Sequence, residues 1–477
     1  MKSIRKPKIG LVGMMAHPFR GDKEGYFAGD GQAMHAMAEQ LDFELNIITG
    51  GIYSLEDARN AADVLANWGA DYLLVQSSSF AGGDFIRPFA QTGVRIGLWA
   101  VPEGPPSAEG GLPLNSFTGL NMYNSILKRY LLAYPHPVKW FFGRPQDPLF
   151  LQRFTVTVAA LRAVVNLEGA RIGLLGGVAP GFDNLIVDPR VYEVKLGVRV
   201  IDLELDALLG RARQVGDGDA VDKAAQEIAG PGVRLAEGMR KHLAALAKLQ
   251  LGMQALAESH QLDALALSCW PRFQVEPGVA VCSLVGQLNT LGLITACEGD
   301  VPSAAGMLAL HYLTNGEVVT LMDLVSIDPA DDSALLWHCG PTSPLLAGEG
   351  GTAMDSLWLF DGPEGQPMGL HNDLVLRAGT VTVMGFTPQL DHLVVFEGRI
   401  DPEKPSYKGS RGWLKDIHID GEALSIPALV ETLVLAGYQH HYPLAYGRLT
   451  SAAIEMAAYA GIPLWEAEGE RDYLKPA

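Results

Sequence analysis

Short apolar runs alternate with amphipathic stretches over the first third of the chain. Lys8-Ile9-Gly10-Leu11-Val12-Gly13 ends in glycine and gives way to a helical pattern through Ala33, Met34, Met37 and Leu41. Glu44–Ile48 reads as a second strand and Ser54–Trp68 as a helix; Asp71–Gln76 and Val94–Ala100 read as further strands. Continuous apolar strands separated by helices suit a parallel sheet covered on both faces, because neither face of such a strand meets water. A helix near Leu151–Asn166 leads into Ala170–Gly177, a strand that stops on a glycine pair, as where a new α/β layer begins. The periodicity of Val233–Ser259 predicts one long helix, and Ala264–Ser268 and Leu293–Ala296 read as strands. From about Leu324 the texture changes. Leu374–Leu376, Thr380–Gly385 and His392–Glu397 alternate between Gly, Pro and Asp turns, which predicts a mainly β region closed by a helix over Ser451–Tyr459. Gly340–Thr352 is the one loose Gly/Pro/Ser-type segment and reads as a surface loop. The pattern predicts an α/β chain: two Rossmann-like parallel-sheet domains, 1–165 and 166–323, followed by a mainly β C-terminal domain, 324–477.

Length agrees with that division, since 477 residues at roughly 100–200 per domain give about three domains. Apolar residues at 48% and charged residues at 19% are ordinary for a globular chain, and 54 Gly with 29 Pro supply its many tight turns. The net charge of −18 repels phosphate backbones and anionic lipid, which argues against nucleic-acid and membrane-surface partners. Four cysteines, Cys269, Cys282, Cys297 and Cys339, form no CxxC pair and read as reduced, buried thiols of a cytoplasmic protein. The opening MKSIRKPKIGLVGMM is basic then apolar, but it is short and interrupted by Gly10 and Gly13, so it reads as a first strand and not a signal segment. No uninterrupted apolar window reaches membrane-spanning length, so no span is expected.

Candidate chemistry concentrates where strands end. Cys269-Trp270-Pro271-Arg272-Phe273-Gln274-Val275-Glu276 and Thr295-Ala296-Cys297-Glu298-Gly299-Asp300-Val301 each follow an apolar strand, the position at which an α/β sheet presents side chains to a crevice. Glu276 and Asp300 are separated by enough chain for one helix and one strand, so both acids are able to converge on one ion from adjacent strand ends. Two carboxylates with one imidazole suit Mn²⁺ or Mg²⁺ and accommodate Co²⁺; the competing reading is a pair of solvated loop acids or helix caps. Tyr438-Gln439-His440-His441-Tyr442 is the second feature. Adjacent strand residues face opposite ways, so one of the two histidines is expected to face a given pocket. Gly176-Gly177-Val178-Ala179-Pro180-Gly181-Phe182 has the look of a ligand loop, although turn geometry explains its glycines equally well; His338 reads as a packed core histidine in preference to a group behind the ligands. The chain lacks the G-x-G-x-x-G spacing, the Walker lysine, G-x-S-x-G and H-E-x-x-H, which speaks against nucleotide cofactors and the common hydrolase sites.

Cys297-Glu298-Gly299-Asp300-Val301 together with Gln439-His440-His441 resembles the L-fucose/L-arabinose isomerase family, and Cys-Trp-Pro-x-Phe-Gln, Leu-Trp-His-Cys-Gly and the glycine-rich turn before Phe182 add to the likeness. The resemblance runs from the first strand to the final helix. It implies a Mn²⁺-assisted aldose–ketose isomerisation in carbohydrate metabolism through a cis-enediol, with Mg²⁺ or Co²⁺ as possible substitutes. Carried over, Glu276, Asp300 and His441 are the metal ligands, with His440 as the alternative imidazole and Glu298 as the alternative acid. Glu276 and Asp300 are the acid/base pair; Glu298, His440, Gln439, Tyr442, Trp270 and Arg272 contact the sugar. The resemblance also implies a homo-oligomer with sites near subunit interfaces. The pocket-shaping loops are shorter than in larger family members, so the sugar stays open among a deoxyhexose, a pentose and a 6-substituted hexose. Arg20, Arg272, Arg411 and Arg448 are the candidates to meet a charged substituent. The alternatives are a metal-dependent epimerase or aldol-type lyase sharing enediol chemistry, and a non-catalytic sugar-binding protein.

Overall fold

The computed structural model describes residues 3–20, 24–106, 110–230, 232–357, 359, 366, 368–419, 421–435 and 437–465. The chain divides into two compact units, the first over residues 5–165 and the second starting at Asn166.

In the first unit β1 (Lys8–Met14), β2 (Glu44–Ile47), β3 (Tyr72–Ser77), β4 (Arg95–Ala100) and β5 (Lys139–Phe142) form a parallel sheet in the order β2-β1-β3-β4-β5. The helix Leu55–Trp68 shows why the pattern was readable. The Ser54 side chain accepts from the Asp57 N–H at its start, Gly69 turns left-handed at its end, and Ala58, Ala61, Ala62 and Leu65 make its buried face. That face packs with Val12, Leu73, Val75, Ile96 and Leu98 in the core. β5, a four-residue edge strand, has no such signature and was not predicted. The helix Pro148–Leu167 is long and apolar enough to cross a membrane by composition. Its Phe150 and Phe154 are nevertheless fully buried against Phe141, the packing of a core helix.

The second unit carries two sheets. β6 (Arg171–Leu175), β7 (Arg199–Leu203), β9 (Ala264–Leu267) and β10 (Ile294–Ala296) are parallel in the order β10-β9-β6-β7. The other sheet starts from the short β8 (Val233–Leu235) and continues with β11 (Thr320–Asp328), β12 (Ser333–His338), β13 (Ala347–Asp355), β14 (His371–Leu376) and β15 (Gly379–Phe386). Its remaining strands are β16 (Leu393–Asp401), β17 (Ser410–Ile419), β18 (Glu422–Ala423) and β19 (His441–Tyr446). Antiparallel pairing of β12 with β17 closes the run β12-β11-β19-β15-β16-β17 on itself as a barrel. Two parallel α/β layers followed by a mainly β region is the fold class expected from the sequence.

Two local expectations are corrected. Val233–Ser259 is not one helix: Val233–Leu235 pairs with β13, Gly238 sits at φ 77°, and the α-helix runs from Leu243 to His260. A positive-φ glycine breaks a helix that hydrophobic periodicity alone would carry through. Gly340–Thr352 is not a surface loop either. Thr342 and Ser343 are fully buried and share hydrogen bonds of 2.7 Å with Thr320 and 2.6 Å with Thr290, and β13 begins at Ala347. Its polar composition reflects interior hydrogen bonding, which looks the same as solvation in a sequence.

Candidate active site

The site lies in the second unit, where the carboxyl ends of the parallel strands meet the barrel. β10 ends in a tight turn at Cys297–Asp300. Glu298 and Gly299 both take positive φ, 65° and 75°. The Gly299 N–H reaches the Leu267 carbonyl at 3.0 Å, and the Ala179 N–H reaches the Glu298 carbonyl at 2.9 Å, tying this turn to the turn after β6. A Cβ on Gly299 would sit 2.7 Å from Val178 Cα and overlap the Gly177 carbonyl, so only glycine allows the two turns to touch. This reversal points Glu298 and Asp300 in different directions.

Glu298 reaches the histidine pair: its Oε2 lies 3.3 Å from His440 Nε2 and 3.4 Å from His441 Nε2. Both histidines therefore contact one acid, contrary to the expectation that one would face away. His440 precedes β19 and is free of the strand's alternation. Asp300 is fully buried and does not line the pocket. Its Oδ2 meets His441 Nδ1 at 2.7 Å, and its Oδ1 accepts the Ser303 N–H at 2.8 Å as the cap of the helix Val301–Leu313.

The barrel supplies two further groups through its register. Asp323 lies opposite His441 on one side and opposite Trp337 on the other, which puts His338 next in line. Asp323 Oδ1 is 3.7 Å from His441 Nε2, and the His338 and His441 rings stack with centroids 5.5 Å apart. His338 is buried, as expected of a core histidine, but its Nε2 and Asp323 Oδ1 are both buried with no hydrogen-bond partner among the described residues. Its Nδ1 accepts the Cys339 N–H at 2.8 Å, so in the neutral ring the proton sits on Nε2. Sequence reasoning missed Asp323 and set His338 aside. The signal for the first was an aspartate in mid-strand among Leu321, Met322, Leu324 and Val325.

These atoms form two groups whose possible ligand atoms all lie within 4.8 Å of one another, Glu298 with His440 and His441, and Asp323 with His338 and His441. His441 belongs to both. Above them opens a pocket of about 970 Å³, lined by Phe182, Trp270, Gln274, Glu298, Asp323, Trp337, His338 and Met368 among others. The Phe182 ring lies edge-on to Trp270 at 5.9 Å and over His440 at 5.1 Å.

Electrostatics couples the cluster. Burial pushes the Glu298 carboxyl up, but the His440 hydrogen bond and the charges of His441, His338 and His440 outweigh it and hold the group below the usual carboxylate range. His440 is raised, chiefly by its hydrogen bond to Glu298 and against burial, with Asp323, Glu298 and Asp300 adding to the rise. Burial lowers His441, but the Asp300 hydrogen bond and the charges of Asp300, Asp323 and Glu298 more than offset it. Carboxylates facing imidazole nitrogens without a cation thus draw in protons.

The other predicted residues fall in different places. Trp270 lines the pocket. Glu276 does not join the cluster: its carboxylate is 2.6 Å from Arg272 Nε and 3.5 Å from Arg213, and it lines a separate recess with Leu209, Lys248 and Pro277. Arg272 turns the same way and also holds Asp206 at 2.6 Å. Arg272 and Glu276, one turn apart, share one face of the short helix Arg272–Val275 and its end, whereas Gln274 and Val275 between them face the pocket. Gln439 is buried and donates to the Phe386 carbonyl, and the Tyr442 ring packs against Tyr438 at 5.3 Å. Arg411 is held by Asp373 and Arg448 by Glu397.

Comparison with known proteins gives relatives over most of the chain. A sulfoquinovose isomerase of Priestia aryabhattai is 29% identical over 415 residues, covering 85% of this chain and 87% of that protein. Another, of Alkalicoccus urumqiensis, is 26% identical over 404 residues, covering 83% and 86%. No family model matches. Among solved structures, an ABC transporter periplasmic solute binding protein from Actinobacillus succinogenes 130z with bound D-allose covers 66% of this chain and 93% of that one. At 12% identity and a TM-score of 0.18 the likeness is too slight to bear on fold or function.

Proposed function

We propose that this chain is an aldose–ketose isomerase of the L-fucose/L-arabinose type whose substrate is a sulfonated hexose, sulfoquinovose foremost. Isomerase activity and the sugar class are supported by relatives that share more than four-fifths of its length. The observation that carries the chemistry is His441 Nε2 lying 3.4 Å from Glu298 and 3.7 Å from Asp323 beneath an aromatic-walled pocket with room for a sugar.

A divalent cation fits this centre, because the buried Asp323 Oδ1 has no hydrogen-bond partner among the described residues and both it and Glu298 Oε2 approach His441 Nε2, at 3.7 and 3.4 Å. Glu298, Asp323 and His441 would hold it. As a set of two carboxylates and an imidazole they suit Mn²⁺ or Mg²⁺ and accommodate Co²⁺. Bound there, the ion would polarise the open-chain carbonyl and acidify the neighbouring C–H.

The chain's own groups account for the proton movements. Among the described residues, Glu298 and Asp323 are the two carboxylates that line the pocket, in place of Glu276 and Asp300. One of them removes the C2 proton while His338 Nε2–H donates to the carbonyl oxygen, giving the cis-enediol. The same carboxylate returns its proton to C1, and the O2 proton replaces the one His338 gave up, giving the ketose with no net change in atoms. Phe182, Trp270 and Trp337 supply apolar faces for the sugar's C–H surface.

The test is to strip the protein with EDTA and assay ketose formation from sulfoquinovose, L-fucose, D-arabinose and L-arabinose, with and without Mn²⁺. Turnover of sulfoquinovose restored by Mn²⁺ is expected. Cleavage products would shift the reaction to an aldol-type lyase, and no turnover of any sugar with any metal would overturn the proposal.

A further inference from the structure

Asp300 and His441 are fixed to one another in a way that constrains which ring nitrogen carries the proton. Both are essentially inaccessible, at 0% and 1% exposure. A carboxylate only accepts hydrogen bonds, so the 2.7 Å contact requires a proton on His441 Nδ1 and leaves Nε2 as the atom free to present a lone pair. Nε2 faces Glu298 and Asp323. The second oxygen of Asp300 is already committed to the Ser303 N–H at the start of a 13-residue helix, where a negative charge is favoured.

We infer that Asp300 is a positioning residue: held by the helix N-terminus, it locks His441 in the Nδ1–H tautomer and so creates the nitrogen ligand of the cation centre, without touching cation or sugar itself. This inference rests on the cation-centred reading above. It gives the two acids of the Glu298-Gly299-Asp300 turn different tasks, Glu298 towards the pocket and Asp300 towards the back of the imidazole.

The arrangement makes an unusual prediction about Asp300→Asn. An asparagine can place its oxygen towards only one of the two partners. The Ser303 N–H is a backbone donor and cannot become an acceptor, whereas His441 Nδ1 becomes an acceptor simply by carrying its proton on Nε2 instead. The pliable partner gives way: the amide oxygen keeps the cap, the amide NH₂ faces Nδ1, and the ring is forced into the Nε2–H form that cannot ligate. Asp300→Ser also keeps a good helix cap, but its short side chain leaves Nδ1 unconstrained and the ring free to adopt either tautomer. The isosteric variant is therefore the more damaging one for metal binding, the reverse of the order that a purely structural role would give.

The experiment is Mn²⁺ titration of wild type, Asp300→Asn and Asp300→Ser after EDTA treatment, read from the free-ion EPR signal, with thermal denaturation of each metal-free protein alongside. Asp300→Asn is expected to lose about 10- to 100-fold in Mn²⁺ affinity, the usual effect of losing a histidine's outer hydrogen-bond partner, with its melting near wild type and Asp300→Ser falling between the two. Equal affinity of wild type and Asp300→Asn would overturn the positioning role while leaving the cation site standing. A loss in Asp300→Ser greater than in Asp300→Asn would mark Asp300 as structural support only. A wild-type protein that binds no Mn²⁺ would instead remove the centre on which the role depends, and the role with it.

Discussion

Replacing Gly299 with alanine tests whether the contact between the two strand-end turns holds the site together. Gly299 sits at φ 75°, and its Cβ would come within 2.7 Å of Val178 Cα and closer still to the Gly177 carbonyl oxygen, both rigid backbone atoms. The left-handed conformation alone costs a non-glycine residue about 1–2 kcal/mol, and forcing an extra carbon into a packed interior costs about 1–3 kcal/mol more. Gly299→Ala should therefore destabilise the second unit by about 2–5 kcal/mol, the sum of those two ranges. Gly177 provides the control. It has nearly the same φ, 76°, yet nothing lies within 4 Å of its Cβ, so Gly177→Ala should show only the conformational part, about 1–2 kcal/mol. Urea unfolding followed by far-UV circular dichroism gives the stabilities, and Mn²⁺ binding to the folded variants reports whether Glu298 has moved. Because relief of the clash must displace the Glu298-Gly299-Asp300 turn, affinity should fall in Gly299→Ala and hold in Gly177→Ala. Equal stability and equal affinity for the two variants would refute the reasoning.

Two further outcomes follow from the same geometry. Glu298→Gln should lower turnover by about 10²–10⁴-fold, the range for loss of a general acid or base, whereas Glu276→Gln, whose carboxylate is spent on Arg272 and Arg213, should leave turnover and Mn²⁺ affinity near wild type; the opposite order would return the acid role to Glu276. His440 and His441 are both raised above the ordinary histidine value by the carboxylates around them. Without metal they therefore stay protonated to higher pH, and an incoming cation has to displace those protons. Mn²⁺ affinity measured at increasing pH should rise through and above the ordinary histidine range and then level off, and a flat or falling profile would show that the imidazoles are not in the centre.

The parallel layers were legible because their signal is local. A buried strand must be apolar throughout and a covering helix must repeat every three to four residues, so Leu73, Leu74 and Val75, or Ala58, Ala61, Ala62 and Leu65, announce themselves. The strand-end acids and the histidine pair were found by the same means, since polar residues at the end of an apolar run need a reason to be there. What was not legible is pairing between distant strands. Asp323, His338 and His441 become neighbours only through the antiparallel register of β11 with β12 and β19. A shift of one residue would turn Asp323 to the other face of the sheet, and nothing in the amino-acid order alone sets that register. Glu276 lies apart from the cluster for a related reason: the short helix Arg272–Val275 rotates its end away from Gln274, and one residue of rotation decides between the pocket and a neighbouring recess.

Glu298 and Asp300 show how far backbone conformation governs chemistry. One residue apart in the sequence, they look like a pair of equivalent ligands, and the resemblance offered them as alternatives for one task. Consecutive positive-φ residues at 298 and 299 reverse the chain between them. Before the reversal the acid lies at the pocket, among imidazoles that keep it ionised. After it the acid begins a helix whose N-terminus holds one oxygen, leaving the other for a histidine that has come from the barrel. The glycine between them is therefore what allows one short turn to supply both a group for the pocket and a group that orients His441. The Gly299→Ala and Asp300→Asn variants separate these two contributions: the first disturbs both acids together, and the second changes only what stands behind the imidazole.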